Sequence, residues 1–167
     1  MKRLIVSLIF FVTIPFTYAQ QTYVPDDNFE QALIDLGYDD VLNDSVLTAN
    51  ISGVTSLNVN DKSISDLTGI EGFTALTDLD CNTNQLTSLD VSNNTALTYL
   101  QCGDNLLTSL DVSSNTALTE LGCTENQLTS LDMSANTALT YLACYNNQLT
   151  SLDVSANTAL TGLYCYS

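Results

Sequence analysis

Apolar and polar positions along this chain follow a pattern that returns every 21 residues. The segment from Leu76 to Leu86, LTDLDCNTNQL, returns as LTYLQCGDNLL, LTELGCTENQL and LTYLACYNNQL. A single unit of this size cannot bury its apolar side, so it is stable only when it stacks on neighbours that continue the same core. The pattern therefore predicts a repeat solenoid in which each repeat forms one coil.

The predicted coils follow one another without interruption from residue 54. Val54 to Ala75 gives a first coil of 22 residues. Each later coil starts at a leucine: Leu76, Leu97, Leu118, Leu139 and, for a partial sixth coil, Leu160. We therefore expect residues 54–167 to form five coils and part of a sixth, and the sequence, which stops inside that coil, predicts no C-terminal cap.

Each coil contains two similar halves, such as LTYLQC from Leu97 to Cys102 and LTSLDV from Leu107 to Val112. Both halves alternate apolar and polar residues, and both precede a turn rich in Asn, Ser or Thr. We expect two narrow parallel sheets, one from each half, on opposite sides of the solenoid. The alternative for the LTSLDV half is a 3₁₀ turn or an irregular segment.

The first 19 residues differ from everything that follows. Lys2 and Arg3 precede an apolar run, and the segment ends in Thr17-Tyr18-Ala19. This order is typical of a secretory signal peptide, and it predicts cleavage before Gln20. The apolar run is too short to cross a bilayer comfortably, and no later segment offers about 20 uninterrupted apolar residues, so no membrane span is expected.

Residues 20–53 are not repetitive and have the features of an N-terminal cap, which covers the first coil of a solenoid. Their helix signals are N-cap acceptors at Asp26, Asp27 and Asn28, an apolar stripe at Phe29, Leu33 and Leu36, and a stop at Gly37. These signals predict a short amphipathic helix whose apolar stripe packs on the first coil.

The repeat resembles the leucine-rich repeat consensus LxxLxLxxNxL. The matching residues of the first clear copy are Leu76, Leu79, Cys81, Asn84 and Leu86. The segment VPDDNFEQALIDLG, followed by an extended stretch and SGVTSLNV, resembles the cap of internalin-like bacterial surface proteins. The resemblance implies a secreted or surface-displayed bacterial protein that adheres to its ligand non-covalently through the repeat surface.

The charge of the chain narrows the range of partners. Removal of the predicted signal peptide leaves Lys62 as the one basic residue against 19 acidic ones, a net charge of −18. Such a surface repels nucleic acid and anionic lipid. The charge has two interpretations, a solubilising surface and a surface that attracts cations or a basic partner, and the first is favoured on general grounds.

Two acidic groups could in principle hold calcium. One is the loop cluster Asp39, Asp40, Asn43 and Asp44, and the other is a column with one aspartate per coil, Asp90, Asp111, Asp132 and Asp153. The loop lacks the spacing and the bidentate Glu of an EF-hand, and each coil offers the column a single carboxylate. No cofactor or metal site is therefore predicted, and calcium is kept as the alternative.

One cysteine per coil stands where leucine-rich repeats usually carry leucine, at Cys81, Cys102, Cys123, Cys144 and Cys165. Each should face the core. The odd number leaves one unpaired in a monomer, and strands stack about 4.8 Å apart, whereas a disulfide prefers about 3.8 Å between Cβ atoms. We expect a buried ladder of free thiols.

An asparagine also recurs at the turn after each predicted strand, at Asn84, Asn105, Asn126 and Asn147. An inward-pointing amide can satisfy backbone groups that the bend would otherwise leave unpaired. We therefore expect these asparagines to stabilise the turns rather than to bind a ligand.

Variation among the coils separates two surfaces. The outward residues of the LTSLDV halves hardly change, whereas those of the other halves change freely and include five tyrosines. Tyrosine offers contact area at low entropic cost and a polar tip. The predicted ligand-binding residues are Tyr99, Glu120, Tyr141, Tyr145 and Tyr164. The competing interpretation is drift at exposed strand positions, which favour aromatic residues in any case.

These observations lead to two functional hypotheses. The first is a secreted or cell-surface module that recognises a protein or a glycan through the tyrosine-bearing sheet. The second is a structural spacer, part of a larger surface protein, with no ligand of its own. An enzyme is not predicted, and no catalytic residue is proposed, because the sequence has no His, no nucleophile elbow and no phosphate-binding loop.

Overall fold

A computed structural model describes residues 19–166. The predicted signal peptide therefore lies outside the described residues except for Ala19. The described part of the chain begins with β1 (Gln21–Tyr23), α1 (Asp27–Asp35), β2 (Ser45–Leu47) and α2 (Thr48–Ile51). Strands β1 and β2 pair antiparallel, with Thr22 opposite Val46. This two-stranded ribbon and the two helices form the N-terminal part of the fold.

Helix α1 confirms the helix predicted near the N-terminus. Asp26 is its N-cap, because its carboxylate accepts hydrogen bonds from the N–H groups of Asn28 and Phe29, both at 3.0 Å. Phe29 is fully buried and its ring centroid lies 6.5 Å from that of Phe73, which belongs to the first coil. Burial of such aromatic side chains holds the helix on the solenoid.

The prediction was wrong for one residue of the apolar stripe. Leu36 is 46% exposed. It lies one residue beyond the end of α1, where it forms the C-cap, and the chain turns away at Gly37 with a φ of 81°. The stripe therefore ends at Leu33, because the helix ends one residue before the next position of the stripe.

Asp26 also joins the cap to the first coil. Its second carboxylate oxygen accepts hydrogen bonds from the backbone N–H of Ser65 at 2.9 Å, the Ser65 hydroxyl at 2.7 Å and the N–H of Asp66 at 3.1 Å. Burial raises the pKa of this carboxyl, but the bonds from Ser65, Phe29 and Asp66 outweigh that effect and leave the pKa below 3.8. One side chain thus stabilises both the start of helix α1 and the contact of the cap with the first coil.

The coils form one six-stranded parallel sheet. Its strands are β3 (Ser56–Asn58), β4 (Asp78–Asp80), β5 (Tyr99–Gln101), β6 (Glu120–Gly122), β7 (Tyr141–Ala143) and β8 (Gly162–Tyr164). They lie side by side in chain order. Leu79 pairs with Leu100, and Leu100 with Leu121, so a shift of one coil brings equivalent residues into register. This arrangement confirms the repeat solenoid and the sheet predicted from the first half of each coil.

The second sheet expected from the LTSLDV halves does not form. In residues 19–166 the six-stranded sheet and the β1–β2 ribbon are the only sheets. The backbone instead bonds locally: Ser92 N–H donates to the Asp90 carboxylate at 2.9 Å, and Asn94 N–H donates to the Val91 carbonyl at 3.0 Å. Because aspartate offers the backbone this alternative to a strand ladder, the irregular alternative is the one observed.

The first coil differs from the others as its extra residue implies. It contains a 3₁₀ helix, Ile70–Gly72, preceded by Gly69 with a φ of 109°. A Cβ at Gly69 would lie 2.8 Å from the carbonyl oxygen of Tyr23. The glycine therefore allows the cap ribbon to approach the first coil closely.

The core runs from the cap through the first five coils. Leu76, Leu79 and Leu86 are fully buried, as are their counterparts in the next coil. Cys81, Cys102, Cys123 and Cys144 lie in the same core and are free thiols, which confirms the predicted ladder for four of the five cysteines. Cys165 is exposed, so the prediction was wrong there: no described coil follows to cover it.

The predicted asparagine turns are present. The Asn105 amide donates to the carbonyl groups of Cys81, Cys102 and Gly103 at 3.1 to 3.2 Å and accepts from the N–H of Leu86 at 3.0 Å. Equivalent bonds recur at Asn126, so each amide joins its own turn to the preceding coil. The structural interpretation of these residues is confirmed.

Candidate functional site

The outward face of the six-stranded sheet carries the variable positions. Strand alternation places the middle residue of strands β3 to β7 in the core and the two flanking residues on the opposite face. The flanking residues form two columns that cross the sheet from strand to strand. The first column contains Ser56, Asp78, Tyr99, Glu120, Tyr141 and Gly162, and the second contains Asn58, Asp80, Gln101, Gly122, Ala143 and Tyr164. The register therefore places chemically different side chains next to one another at about the strand spacing of 4.8 Å.

A groove of about 510 Å³ lies on this face and in the turns that follow the strands. We call it the tyrosine groove. It brings together four of the five predicted binding residues, Tyr99, Glu120, Tyr141 and Tyr145. Its other lining residues are Asn60, Asn82, Thr83, Gln101, Gly103, Asp104, Thr124 and Ala143.

Tyr164, the fifth predicted residue, does not line the groove but contacts one of its tyrosines. Its ring centroid lies 5.4 Å from that of Tyr141, with an angle of 41° between the planes. Tyr145 makes a second pair with Tyr166, stacked at 4.8 Å with planes 1° apart. Such pairs limit the movement of the rings and so reduce the entropy that a ligand would have to overcome.

Glycine in the columns lets larger neighbours lie across the sheet. A Cβ at Gly162 would be 2.8 Å from the ring of Tyr141, and a Cβ at Gly122 would overlap the Gln101 side-chain oxygen. Both contacts are too short for a real side chain. Tyr141 and Gln101 therefore lie over positions that have no side chain of their own.

Tyr99 separates the tyrosine groove from a second depression of about 260 Å³, which Ser56, Asn58, Asp78 and Asp80 also line. Asp78 and Glu120 are its direct partners on the two neighbouring strands. Burial raises the pKa of the Tyr99 hydroxyl, and the charges of Asp80, Glu120 and Asp78 raise it further. The phenol is thus neutral at physiological pH in a region of negative potential.

Sequence reasoning missed three acidic residues on this face of the sheet. Asp78 and Asp80 stand in the variable columns but were not chosen, because the prediction favoured tyrosines. Asp104 follows β5 in a left-handed conformation with a φ of 52°, and this turn places it in the groove. The same left-handed position recurs at Thr83, Glu125 and Asn146, a spacing that could have indicated a turn residue facing the site.

The aspartates of the LTSLDV halves lie in a different environment. Ser109, Asp111, Ser130 and Asp132 line a separate depression outside the sheet. The Asp111 carboxylate accepts from the N–H of Ser113 at 2.9 Å, and the Asp132 carboxylate accepts from the N–H of Ser134 at 2.9 Å. These carboxylates serve the local turns, and no aromatic residue lines this depression.

The acidic loop near Asp39 is organised by a residue that the sequence did not indicate. Glu30 of α1 is fully buried, and its carboxylate accepts hydrogen bonds from the N–H groups of Asn43, Asp44 and Ser45 at 3.0 to 3.1 Å. Burial and the charge of Glu30 raise the pKa of the Asp39 carboxyl. Within residues 19–166 no group of three or more Cys, Asp or Glu side chains is close enough to hold a metal ion.

We compared the sequence and the fold with those of known proteins. No protein-family model matches the sequence. Internalin J of Listeria monocytogenes serotype 4b (strain F2365) is 45% identical over 78 residues, which are 47% of this chain and 8% of Internalin J. The solved functional domain of Internalin J from Listeria monocytogenes, described as including a cysteine ladder, matches with a TM-score of 0.81 and 44% identity, over 90% of this chain and 34% of that domain.

Two further structures support the same fold. A leucine-rich-repeat protein of Leptospira interrogans matches with a TM-score of 0.63 and 27% identity, over 66% of this chain and 31% of that protein. An internalin, inlF, of Listeria monocytogenes strain 4b F2365 matches with a TM-score of 0.67 and 24% identity, over 83% of this chain and 48% of that protein, and this likeness concerns the fold alone.

The fold is an internalin-like leucine-rich-repeat solenoid. The chain is similar to part of Internalin J and spans 8% of the length of that protein and about a third of its solved domain. None of the helices in residues 19–166 has the length and apolar character that a membrane crossing requires.

Proposed function

We propose that this chain is a secreted or cell-surface bacterial recognition module that binds a protein non-covalently through the tyrosine groove. The observation that carries the proposal is the convergence of Tyr99, Glu120, Tyr141 and Tyr145 on one groove of the sheet. Aromatic side chains that are fixed by neighbours supply most of the energy in many protein interfaces. A glycan is the alternative ligand, because tyrosine rings and carboxylates also suit sugar rings and hydroxyls.

The groove is suited to binding rather than to catalysis. Its titratable groups lie on separate strands, and it contains no paired nucleophile and base. The relatives support a binding role, since they are internalins and leucine-rich-repeat proteins. The competing proposal, a structural spacer, makes no use of the groove.

A binding experiment separates these proposals. Immobilised protein is incubated with extracellular proteins of candidate host cells and, separately, with a glycan array. A variant with Tyr99, Tyr141, Tyr145 and Tyr164 replaced by Ser should lose the retained protein. A matched variant with the exposed Ser88, Ser109, Ser130 and Ser151 replaced by Ala should retain it, because these residues lie outside the sheet.

Circular dichroism and melting temperature establish that both variants are folded. Outward-facing changes usually alter stability by about 0.5 kcal/mol or less each. If the tyrosine variant retained as much partner protein as the unaltered protein, the binding site would have to lie outside the groove. No retention by the unaltered protein, of protein or glycan, would favour the spacer.

A further inference from the structure

The tyrosine groove and the depression beside it concentrate carboxylates around one aromatic ring. Asp78 and Glu120 flank Tyr99 on the neighbouring strands, Asp80 lies on the same strand as Asp78, and Asp104 lines the groove. Because the strands stack about 4.8 Å apart, the two flanking carboxylates have the ring between them.

Two of these carboxylates have no protein partner. In residues 19–166 no N–H or O–H group donates a hydrogen bond to the side-chain carboxylate of Glu120 or Asp104, whereas the hydroxyl of Thr77 donates to the carboxylate of Asp78 at 2.6 Å. Asp80 accepts from the N–H of Asn82 at 3.1 Å. The groove thus presents acceptor oxygens that can still take donors from a ligand.

No cation of the described chain neutralises this region. Lys62 is the only basic residue in residues 19–166, and its ammonium lies 4.0 Å from the carboxylate of Asp35 on α1. The negative potential at the groove is therefore available to attract a cationic ligand. Burial raises the pKa of Tyr99, and the charges of Asp80, Glu120 and Asp78 raise it further.

The aromatic ring adds selectivity for an organic cation. A guanidinium or ammonium group binds over the face of a tyrosine ring, and carboxylates at the ring edge can accept its N–H donors. The carboxylates lie on separate strands on either side of the ring, so they suit a donor group that spreads over several ångströms. A guanidinium with five donors in one plane fits this arrangement.

We propose that the tyrosine groove and the depression beside it bind an arginine- or lysine-bearing segment of the protein partner, with the cationic group against Tyr99 between Asp78 and Glu120. This inference rests on the proposed recognition function and specifies the chemistry of its ligand. In this proposal the carboxylates of the sheet face bind the ligand, whereas the aspartates of the LTSLDV halves accept hydrogen bonds within their own turns.

The experiment must separate the groove from the general attraction of an acidic protein. The probe is a fluorescein-labelled decapeptide of alternating glycine and arginine, and its neutral control replaces each arginine by citrulline. Fluorescence anisotropy compares the unaltered protein with the double variant Asp78→Asn/Glu120→Gln. The matched control is Asp111→Asn/Asp132→Asn, which removes the same charge outside the sheet.

We expect the arginine peptide to bind the unaltered protein and the citrulline peptide to bind at least tenfold more weakly. The groove variant should lose about tenfold in affinity and the matched control less than about twofold. Tyr99→Leu should weaken binding about fivefold with all carboxylates in place, since it removes only the cation–π contact. Affinity should fall as salt rises from about 0.01 M to about 0.15 M, where the screening length shortens from about 30 Å to about 8 Å.

Equal losses in the groove variant and the matched control would overturn the inference, because net charge alone would then explain binding. Equal affinity for the arginine and citrulline peptides would overturn it as well. The recognition function has a separate test: a retained host protein that the tyrosine variant loses but that Asp78→Asn/Glu120→Gln keeps would refute the cationic ligand and leave recognition in place.

Discussion

At the scale of single residues, buried amides carry much of the specificity of this fold. Asn105 joins two coils with four hydrogen bonds, and Asn94 contributes from the other half of the coil, where its amide donates to the carbonyl groups of Ile70 at 2.9 Å and Phe73 at 3.1 Å. Because a buried backbone group without a partner is costly, these side chains fix where the chain turns.

Replacement of Asn105 by Ala should destabilise the protein by about 3 kcal/mol, since the buried N–H of Leu86 and several carbonyl groups lose their partner. Asn147→Ala provides the matched comparison. Asn147 makes the same bonds but is only partly buried, so water can replace its amide, and we expect a loss of about 1 kcal/mol. Urea unfolding measures both, and equal losses would contradict the role of burial.

The residue scale also shows what the sequence could predict. Asn105 was identified from its recurrence in a known consensus, and the structure confirms its inward position. Asn94 and its equivalents recur as regularly, but they stand in a turn-forming run where asparagine is common for other reasons. Glu30 could not have been identified, because a charged residue in a helix gives no sign of burial until the loop whose N–H groups it binds is placed.

At the scale of elements, the two halves of each coil differ although their sequences are similar. LTYLQC forms strand β5, whereas LTSLDV is irregular because Asp111 accepts a hydrogen bond from Ser113 within its own turn. Apolar alternation predicted both as strands, and it could not weigh a local side-chain bond against a strand ladder. The cap ribbon was also missed, since β1 and β2 are three residues each and pair across a long sequence separation.

These turns predict how stability depends on pH. Hydrogen bonds from the backbone N–H and hydroxyl of Ser113 hold the pKa of Asp111 below its usual 3.8, and those of Ser134 do the same for Asp132. A carboxyl whose pKa is lower in the folded state contributes stability above its unfolded pKa and loses it as the pH falls through the folded pKa. The contribution is therefore fully present above pH 3.8 and is lost below it.

The variant Asp111→Asn/Asp132→Asn should reduce this dependence, because an asparagine oxygen can accept the same hydrogen bonds but does not titrate. Its melting temperature should fall less steeply than that of the unaltered protein as the pH is lowered below 3.8. Thermal unfolding at a series of pH values measures the difference. Parallel curves would show that these turns do not depend on ionised carboxylates.

At the scale of the whole molecule, the solenoid has one continuous core and one chemically distinct face. Stacking extends the core from the cap to the fifth coil, so the thiol ladder runs along it, and the sheet presents the tyrosine groove to solvent. The repeat pattern alone predicted the stacking and the outward columns. It could not predict that four of the chosen residues share one groove, which depends on the turns after the strands.

The thiol ladder predicts a sharp difference in reactivity. Burial raises the pKa of Cys144 to about 11, and the charge of Cys165 adds to this; burial raises the pKa values of Cys102 and Cys123 well above 9.0. Because the thiolate is the reactive form, a maleimide should label the exposed Cys165 alone in the folded protein. Mass spectrometry should find one label per chain, none in Cys165→Ser, and five after unfolding. A second label in the folded state would contradict a closed core.

The central claim is that the sheet face, and not the surface of the LTSLDV halves, recognises a partner. Site-specific photo-crosslinking tests this claim directly, with a photoreactive amino acid placed at Gln101 in the groove or at the exposed Ser109 outside the sheet. After exposure to intact host cells and irradiation, the account predicts a crosslinked host protein from position 101 and none from position 109. Crosslinking from position 109 with none from position 101 would contradict it.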